Sequence, residues 1–256
     1  MRIDGRQPDE MRPVKVTVDV LQYAAGSVMI ELGNTQVLCA VTMDNHPAPH
    51  LIGTGQGWVT AEYDMLPCAS NMRKPRDRSK GIIPGRSAEI QRLIGRSLRA
   101  VVELESLGER TFIVDCDVVQ ADGGTRTASI TGAFIALGLA MKKLVAANQL
   151  GRLMLKDFVA ATSVGIVEGR PVLDLSYLED SQAEVDMNIV MNGSGGLIEV
   201  QGTAESKPFS RARMDEMLIL AETGIRRLIT IQMETLGIKK LGTGGMDDDS
   251  EEEQSG

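Results

Sequence analysis

Aromatic residues are scarce in this chain: one Trp, three Tyr and four Phe among 256 residues. A dense core must therefore come from Val, Ile, Leu, Met and Ala, and a hydrophobic content of 43% can supply it. Cysteine is scarcer still. Cys39, Cys68 and Cys116 are odd in number, widely spaced and set among apolar residues, which excludes a disulfide framework and predicts reduced thiols in or near the core of a cytosolic protein. The only histidines, His46 and His50, flank Pro47 and Pro49 in a loop, so no helix holds them at metal-ligand spacing. Long apolar runs are absent: none approaches the roughly 18 residues of a membrane span. The polar start MRIDGRQPDEMRP has no apolar signal region, which gives the expectation of a cytoplasmic protein without membrane association. The chain also lacks a Walker A lysine motif, a GxGxxG fingerprint and a Ser-His-Asp arrangement. Nucleotide hydrolysis, dinucleotide chemistry and acyl transfer lose ground accordingly.

The net charge of −8 argues superficially against a polyanionic partner. The C-terminal run MDDDSEEEQSG, however, holds Asp247, Asp248, Asp249, Glu251, Glu252 and Glu253, and without these six the rest carries −2. Residues 242–256 are expected to be an acidic, disordered tail beyond a single domain of residues 1–241. Local clustering of charge, rather than its total, must then carry the argument.

Val14 to Val20, Gly26 to Leu32 and Thr35 to Met43 read as strands, the last two joined by a Gly33-Asn34 hairpin turn. Trp58 to Met65 is a further strand. The stretch Asn71 to Gly85, NMRKPRDRSKGIIPG, is the most basic in the chain, crowding Arg73, Lys74, Arg76, Arg78 and Lys80 between prolines. It reads either as a solvated loop or as a clamp that positions a polynucleotide through its phosphates. Arg86 to Leu107 is predicted as the first long helix. Ile90, Leu93, Ile94, Leu98, Val101 and Val102 face the core, and Arg92, Arg96 and Arg99 form a stripe flanked by Glu89 and Glu103. Phe158 to Glu168 and Pro171 to Tyr177 read as a hairpin through Gly169, Gln182 to Asn192 and Leu197 to Ala204 as another through Gly193 to Gly196, and a last helix covers Ser210 to Leu236. Hairpin-joined strand blocks separated by helices predict an α+β fold, two similar halves of mixed sheet packed with helices.

Two stretches carry chemistry. Thr111 to Gln120 is a buried strand, Gly123-Gly124 breaks it, and Thr125-Arg126-Thr127 opens an apolar helix. Backbone N–H groups are free at such a junction, glycine admits close approach, and Arg126 presents a planar fork matched to phosphate oxygens. The junction reads as an anion seat, or as a plain strand-helix turn whose arginine meets a surface carboxylate. Arg86, beside Gly85 at a helix start, is a second place for an anion. In DLSYLEDSQAEVDMN, strand alternation brings Asp174, Asp180 and Asp186 toward one end of a sheet. Carboxylates gathered so repel unless one keeps a proton or a cation such as Mg²⁺ joins them, although acidic hairpin caps would look the same. Taken together, these features point to phosphoryl or nucleotidyl transfer on a phosphate-rich substrate. No histidine stands ready to activate water, which fits phosphate itself as the nucleophile.

MRIDGRQPDEMRPV, GWVTAEYDMLP, GRSAEIQRLIGRSLRA, QADGGTRTASITGAF, DLSYLEDSQAEVDMN and EVQGTAE, spread from Arg2 to about Leu241, resemble the bacterial ribonuclease PH family. The resemblance implies the ribonuclease PH fold, similar to ribosomal protein S5 domain 2, shared with polynucleotide phosphorylase and exosome cores. It implies a phosphorolytic 3′→5′ exoribonuclease acting on tRNA precursors and other RNA 3′ ends, with Mg²⁺ as cofactor and inorganic phosphate as co-substrate. It also implies a homohexamer built as a trimer of dimers. By position, it places phosphate at Arg86, Gly124, Thr125 and Arg126, and catalysis and metal binding at Asp180 and Asp186. RNA is held by Arg73, Arg76, Arg92 and Arg99. Which of the two aspartates is acid and which ligand stays open. Two rivals are an inactive RNA-binding ring subunit, which has no use for both carboxylates, and a hydrolytic Mg²⁺ nuclease, which has no use for two arginine-bearing seats.

Overall fold

In a computed structural model, residues 2–76, 81, 84–205 and 207–241 are described. The acidic run 242–256 lies outside them, as do Arg78 and Lys80. The first half is a five-stranded sheet in the order β1-β2-β3-β5-β4. Here β1 is Val14–Val18, β2 Gly26–Leu32, β3 Thr35–Asp44, β4 Trp58–Met65 and β5 Thr111–Gln120. The predicted Gly33-Asn34 turn joins β2 to β3, with Gly33 at φ 56°. Strand β4 runs parallel to β5, and helix α1, Gly85–Ala100, lies in the crossover between them.

Helix α1 ends about two turns before the predicted Leu107. Val101 and Val102 leave it to pair with the segment before the second half: Val102 bridges Leu155, the Lys156 N–H donates to the Val101 carbonyl at 2.8 Å, and the Glu103 N–H donates to Met154 at 2.9 Å. The apolar period continues past Ala100 because these residues are buried either way, so the sequence alone cannot separate helix from bridge.

Helix α2, Thr125–Ala146, is the centre of the molecule. It packs on β2, β3 and β5 on one side and on the second half and α1 on others, which is why every residue from Thr127 to Gly138 is buried, whichever face of the helix it lies on. Against the expectation that no stretch approaches a membrane span, its length and composition would let it cross one, yet 78% of its most apolar 18 residues is buried within the fold. The second half is an antiparallel four-stranded sheet in the order β7-β6-β8-β9. Strand β6 is Val159–Val167, β7 Arg170–Leu173, β8 Val185–Asn192 and β9 Leu197–Ala204. Helix α4, Arg211–Leu236, covers it, capped by the Ser210 hydroxyl and closed by Gly237 at φ 63°.

Strand β7 stops at Leu173, earlier than the predicted Tyr177. Asp174 takes φ 55°, and Ser176 then caps a one-turn helix α3, Tyr177–Asp180, through a capping box with Glu179. Of the cysteines, Cys39 and Cys116 are buried opposite one another on β3 and β5, whereas Cys68 is exposed, against the expectation of a core or near-core thiol. The histidines are engaged separately: His46 Nδ1 meets Asp44 Oδ1 at 2.6 Å, and His50 stands edge-on to Trp58 at 4.9 Å.

Candidate active site

The break between β5 and α2 has the shape its glycines allow. Gly123 and Gly124 are both left-handed, at φ 76° and 67°. A Cβ on Gly123 would stand 2.6 Å from the Leu175 carbonyl oxygen, so only glycine lets this turn lie against the loop that leads into α3. No side chain caps α2, and its first backbone N–H groups meet the positive end of the dipole at the mouth of the turn. The Thr125 hydroxyl lies 2.8 Å from the buried Tyr63 hydroxyl of β4, and the Thr127 hydroxyl donates to the Gly124 carbonyl at 2.9 Å. Arg126 donates to Gln201 Oε1 on β9 at 2.5 Å, and Gln201 in turn donates to Glu89 of α1. Arg86, in the first turn of α1, faces the same place: its charge and that of Arg126 act together on Tyr63, Asp180 and Asp186.

Asp180 ends α3 and Asp186 is the second residue of β8, so a one-turn helix and a sheet strand deliver the two carboxylates to one locus. Burial raises the Asp180 pKa; Arg126 and Arg86 work against that, and Glu205 adds to it. Asp186 is pushed up to about 6, by burial first and by the Asp180 charge second, with Glu205 contributing and the two arginines opposing. Two carboxylates that hinder each other's ionisation call for a shared proton or a cation. Their oxygen donors suit Mg²⁺, which takes one or two carboxylates and completes its shell with water and substrate phosphate. Among the described residues, no group of three His, Cys, Asp or Glu side chains is placed to hold a metal ion.

The structure thus brings together Arg86, Thr125, Arg126, Asp180 and Asp186. Asp174 does not join them, contrary to the sequence reading. Its left-handed backbone takes it out of the strand alternation, and its carboxylate, 1% exposed, is held by Arg12 at 2.7 Å and Arg6 at 3.2 Å. Asp174 is a structural counter-ion, and its buried charge is matched by two guanidinium groups. Arg73 and Arg76 are exposed in the loop after β4, and Arg92 is exposed on α1. The arginine stripe itself divides: Arg96 pairs across to Glu199 of β9, while Arg99 lies 4.4 Å over the Trp58 ring and donates to the Val59 carbonyl at 2.9 Å. Neither bonds along the helix to Glu89 or Glu103, which instead meet Gln201 and Arg152. Sequence reasoning passed over Tyr63, Gln201 and Glu205. Each sits in a stretch that carries the family resemblance, but only the bonds of Tyr63 to Thr125 and of Gln201 to Arg126, and the charge of Glu205 acting on the aspartates, reveal a role.

Transfer at a phosphate ester is the class of chemistry that asks for anion-binding arginines beside crowded acidic oxygens with no histidine base. Comparison with known proteins narrows the class: the chain belongs to the 3′ exoribonuclease family, whose domain 1 matches residues 10–142 and whose domain 2 matches residues 157–224. It is 56% identical over 238 residues to Ribonuclease PH of Bacillus cereus (strain AH820), covering 93% of this chain and 97% of the relative, and it matches the Bacillus anthracis protein equally well. Among solved structures, a chain of the Archaeoglobus fulgidus exosome with RNA bound to the active site superposes at TM-score 0.75 with 26% identity, over 90% of this chain and 92% of that one. Rice (Oryza sativa) Rrp46 has the same fold at TM-score 0.76 with 22% identity, over 92% of this chain and all of that one.

Proposed function

We infer that the chain is a phosphate-dependent 3′→5′ exoribonuclease that trims tRNA precursors and other RNA 3′ ends, transferring each terminal nucleotide to inorganic phosphate and releasing a nucleoside diphosphate. The observation that carries this reading is the meeting of Arg86 and Arg126, at two helix starts, with the crowded pair Asp180 and Asp186. A hydrolase working with water has no need of that doubled anion seat.

In this reading the backbone at Gly124 and Thr125, with Arg126 and Arg86, seats inorganic phosphate in line with the terminal phosphodiester, so that positioning replaces deprotonation of the nucleophile. The Thr125 hydroxyl, held by Tyr63, adds a further donor. Asp180 and Asp186 are the residues that would hold Mg²⁺, which when bound supplies charge neutralisation at the scissile phosphate. The departing 3′ oxygen needs a proton, and one of these two carboxylates would supply it. Arg73, Arg76 and Arg92, with Arg99 over Trp58, hold the RNA body. We further propose that the protein works in the cytoplasm as a homohexamer, a trimer of dimers. The likeness to a chain of an exosome supports assembly with further chains.

The test is phosphate omission combined with one substitution. Degradation of a short RNA should stop in phosphate-free buffer. Arg126→Ala removes a charge-assisted bidentate contact worth about 2–4 kcal/mol. That corresponds to a loss of roughly 30- to 1000-fold in rate at subsaturating phosphate, much of it recovered as phosphate is raised. Unchanged phosphate demand in Arg126→Ala would remove Arg126 from the seat.

A further inference from the structure

Arg12 lies outside the site, in the segment before β1, yet the residue is 4% exposed and its guanidinium touches both loops that build the site. Nη1 donates to the Asp122 carbonyl, and Nη2 reaches the Gly123 carbonyl at 3.4 Å, so one edge holds the turn that forms the phosphate seat. On the other side Nη2 donates to the Leu175 carbonyl at 3.3 Å, in the loop leading to α3 and Asp180. Asp174 anchors the group, taking Nε at 2.9 Å, Nη2 at 2.7 Å and the Arg12 backbone N–H at 2.8 Å. The left-handed Gly33 makes room: a Cβ there would stand 2.7 Å from Arg12 Cδ.

We propose that Arg12 is a positioning residue for the reaction, a buried clasp that locks the Gly123-Gly124 turn against the Leu175 loop and thereby sets the affinity for inorganic phosphate. The proposal rests on the reading of that turn as the phosphate seat. Its physical basis is the fork: five N–H donors in one plane span carbonyls on two loops while a carboxylate holds the plane in place. A lysine keeps the charge but replaces three nitrogens with one, so it cannot hold the Asp122 carbonyl, the Leu175 carbonyl and both Asp174 oxygens together. Without the clasp the turn samples other arrangements, and phosphate must spend binding energy to select the formed seat. If the seat is formed a tenth of the time, apparent phosphate affinity falls about tenfold, while the saturated enzyme turns over as before.

Arg152 provides the control. It donates to both carboxylate oxygens of the buried Glu103, beyond the end of α1 opposite to Arg86. Binding of radiolabelled inorganic phosphate by equilibrium dialysis, without RNA or divalent cation, is compared for wild type, Arg12→Lys and Arg152→Lys. It is followed by the phosphate dependence of turnover on a short RNA. The expected result is binding about tenfold weaker in Arg12→Lys, a matching rise in KM for phosphate, and kcat within about threefold of wild type. Arg152→Lys should bind phosphate as wild type does, even where both variants melt at lower temperature. Wild-type phosphate binding in Arg12→Lys, or an equal loss in both variants, overturns the proposal. If Arg12→Lys fails to fold, Gly33→Ala displaces the same side chain without removing its charge. It should weaken phosphate binding likewise, and wild-type binding by that variant refutes the clasp. Failure of the underlying reading shows in the wild type alone, as absence of phosphate binding, and then both fall.

Discussion

At the scale of single residues, Asp186 is held where its own ionisation is unfavourable. Burial and the neighbouring Asp180 push its pKa to about 6, above the ordinary 3.8. The folded state therefore prefers the protonated form: the contribution of Asp186 to stability is most favourable below about 3.8 and is lost as pH rises through about 6. Asp186→Asn should accordingly stabilise the metal-free protein by about 1–2 kcal/mol at pH 7.5, after allowance for the part of the side chain that water still reaches. The gain should vanish near pH 4, and turnover should be lost at every pH. Urea unfolding without divalent cations at both pH values, beside turnover on the same preparation, measures this; an unchanged or lowered midpoint at pH 7.5 contradicts it. The residues that could be read from sequence share one property. Arg86, Arg126, Asp180 and Asp186 sit beside local signals, a glycine break, a helix start or a strand's alternation. Asp174 was misplaced because the alternation was carried past Leu173 into a left-handed residue that nothing local announces. Tyr63, Gln201 and Arg12 act through partners 62, 75 and 162 positions away in the chain, a separation no periodicity encodes.

At the scale of elements, the one-turn helix α3 is too short to hold Asp180 in place by itself. The N-terminal segment does that work. Arg2 donates to both oxygens of Glu179 at 2.7 Å, Arg6 to one at 3.2 Å, and the Ser176 N–H to one at 2.9 Å. Burial alone would raise the Glu179 pKa, but the hydrogen bonds from Arg2 and Ser176 and the charges of Arg2 and Arg6 outweigh it and bring the value from 4.5 to about 2. The ionised form thus stabilises the fold fully above about 4.5, and that contribution is lost as pH falls toward 2. Glu179→Gln should cost about 2–3 kcal/mol at pH 7, with the gap to wild type closing toward pH 2. Thermal unfolding across that range checks it, and a gap that persists undiminished at pH 2 contradicts the ion network as its source. Strands, hairpins and the long helices α2 and α4 were legible because their apolar periods are long and their turns carry Gly or Asn. The end of α1 and the existence of α3 were not, since one depends on pairing with Leu155 and the other on arginines at the far end of the chain.

At the scale of the whole molecule, the site lies between the halves. Helices α1 and α2 contribute Arg86, Thr125 and Arg126, and α3 and β8 contribute Asp180 and Asp186. Arg73 and Arg76 stand on an exposed loop, where they suit the bulk of a folded RNA rather than its last nucleotide. Replacing both with Ala should weaken binding of a tRNA precursor far more than of a short oligonucleotide. The log–log salt dependence should become shallower by about one to two units. Equal losses on both substrates would move these arginines to the site of chemistry. Sedimentation of the purified chain should give a hexamer, and a monomer fully active on tRNA precursors would contradict the ring. The most direct measurement follows the nucleophile itself. With radiolabelled inorganic phosphate, Mg²⁺ and a short RNA, the label should appear in the β-phosphate of released nucleoside 5′-diphosphates, the α-phosphate coming from the RNA. Release of unlabelled nucleoside monophosphates, at the same rate with phosphate left out, would show that water is the nucleophile and contradict the account.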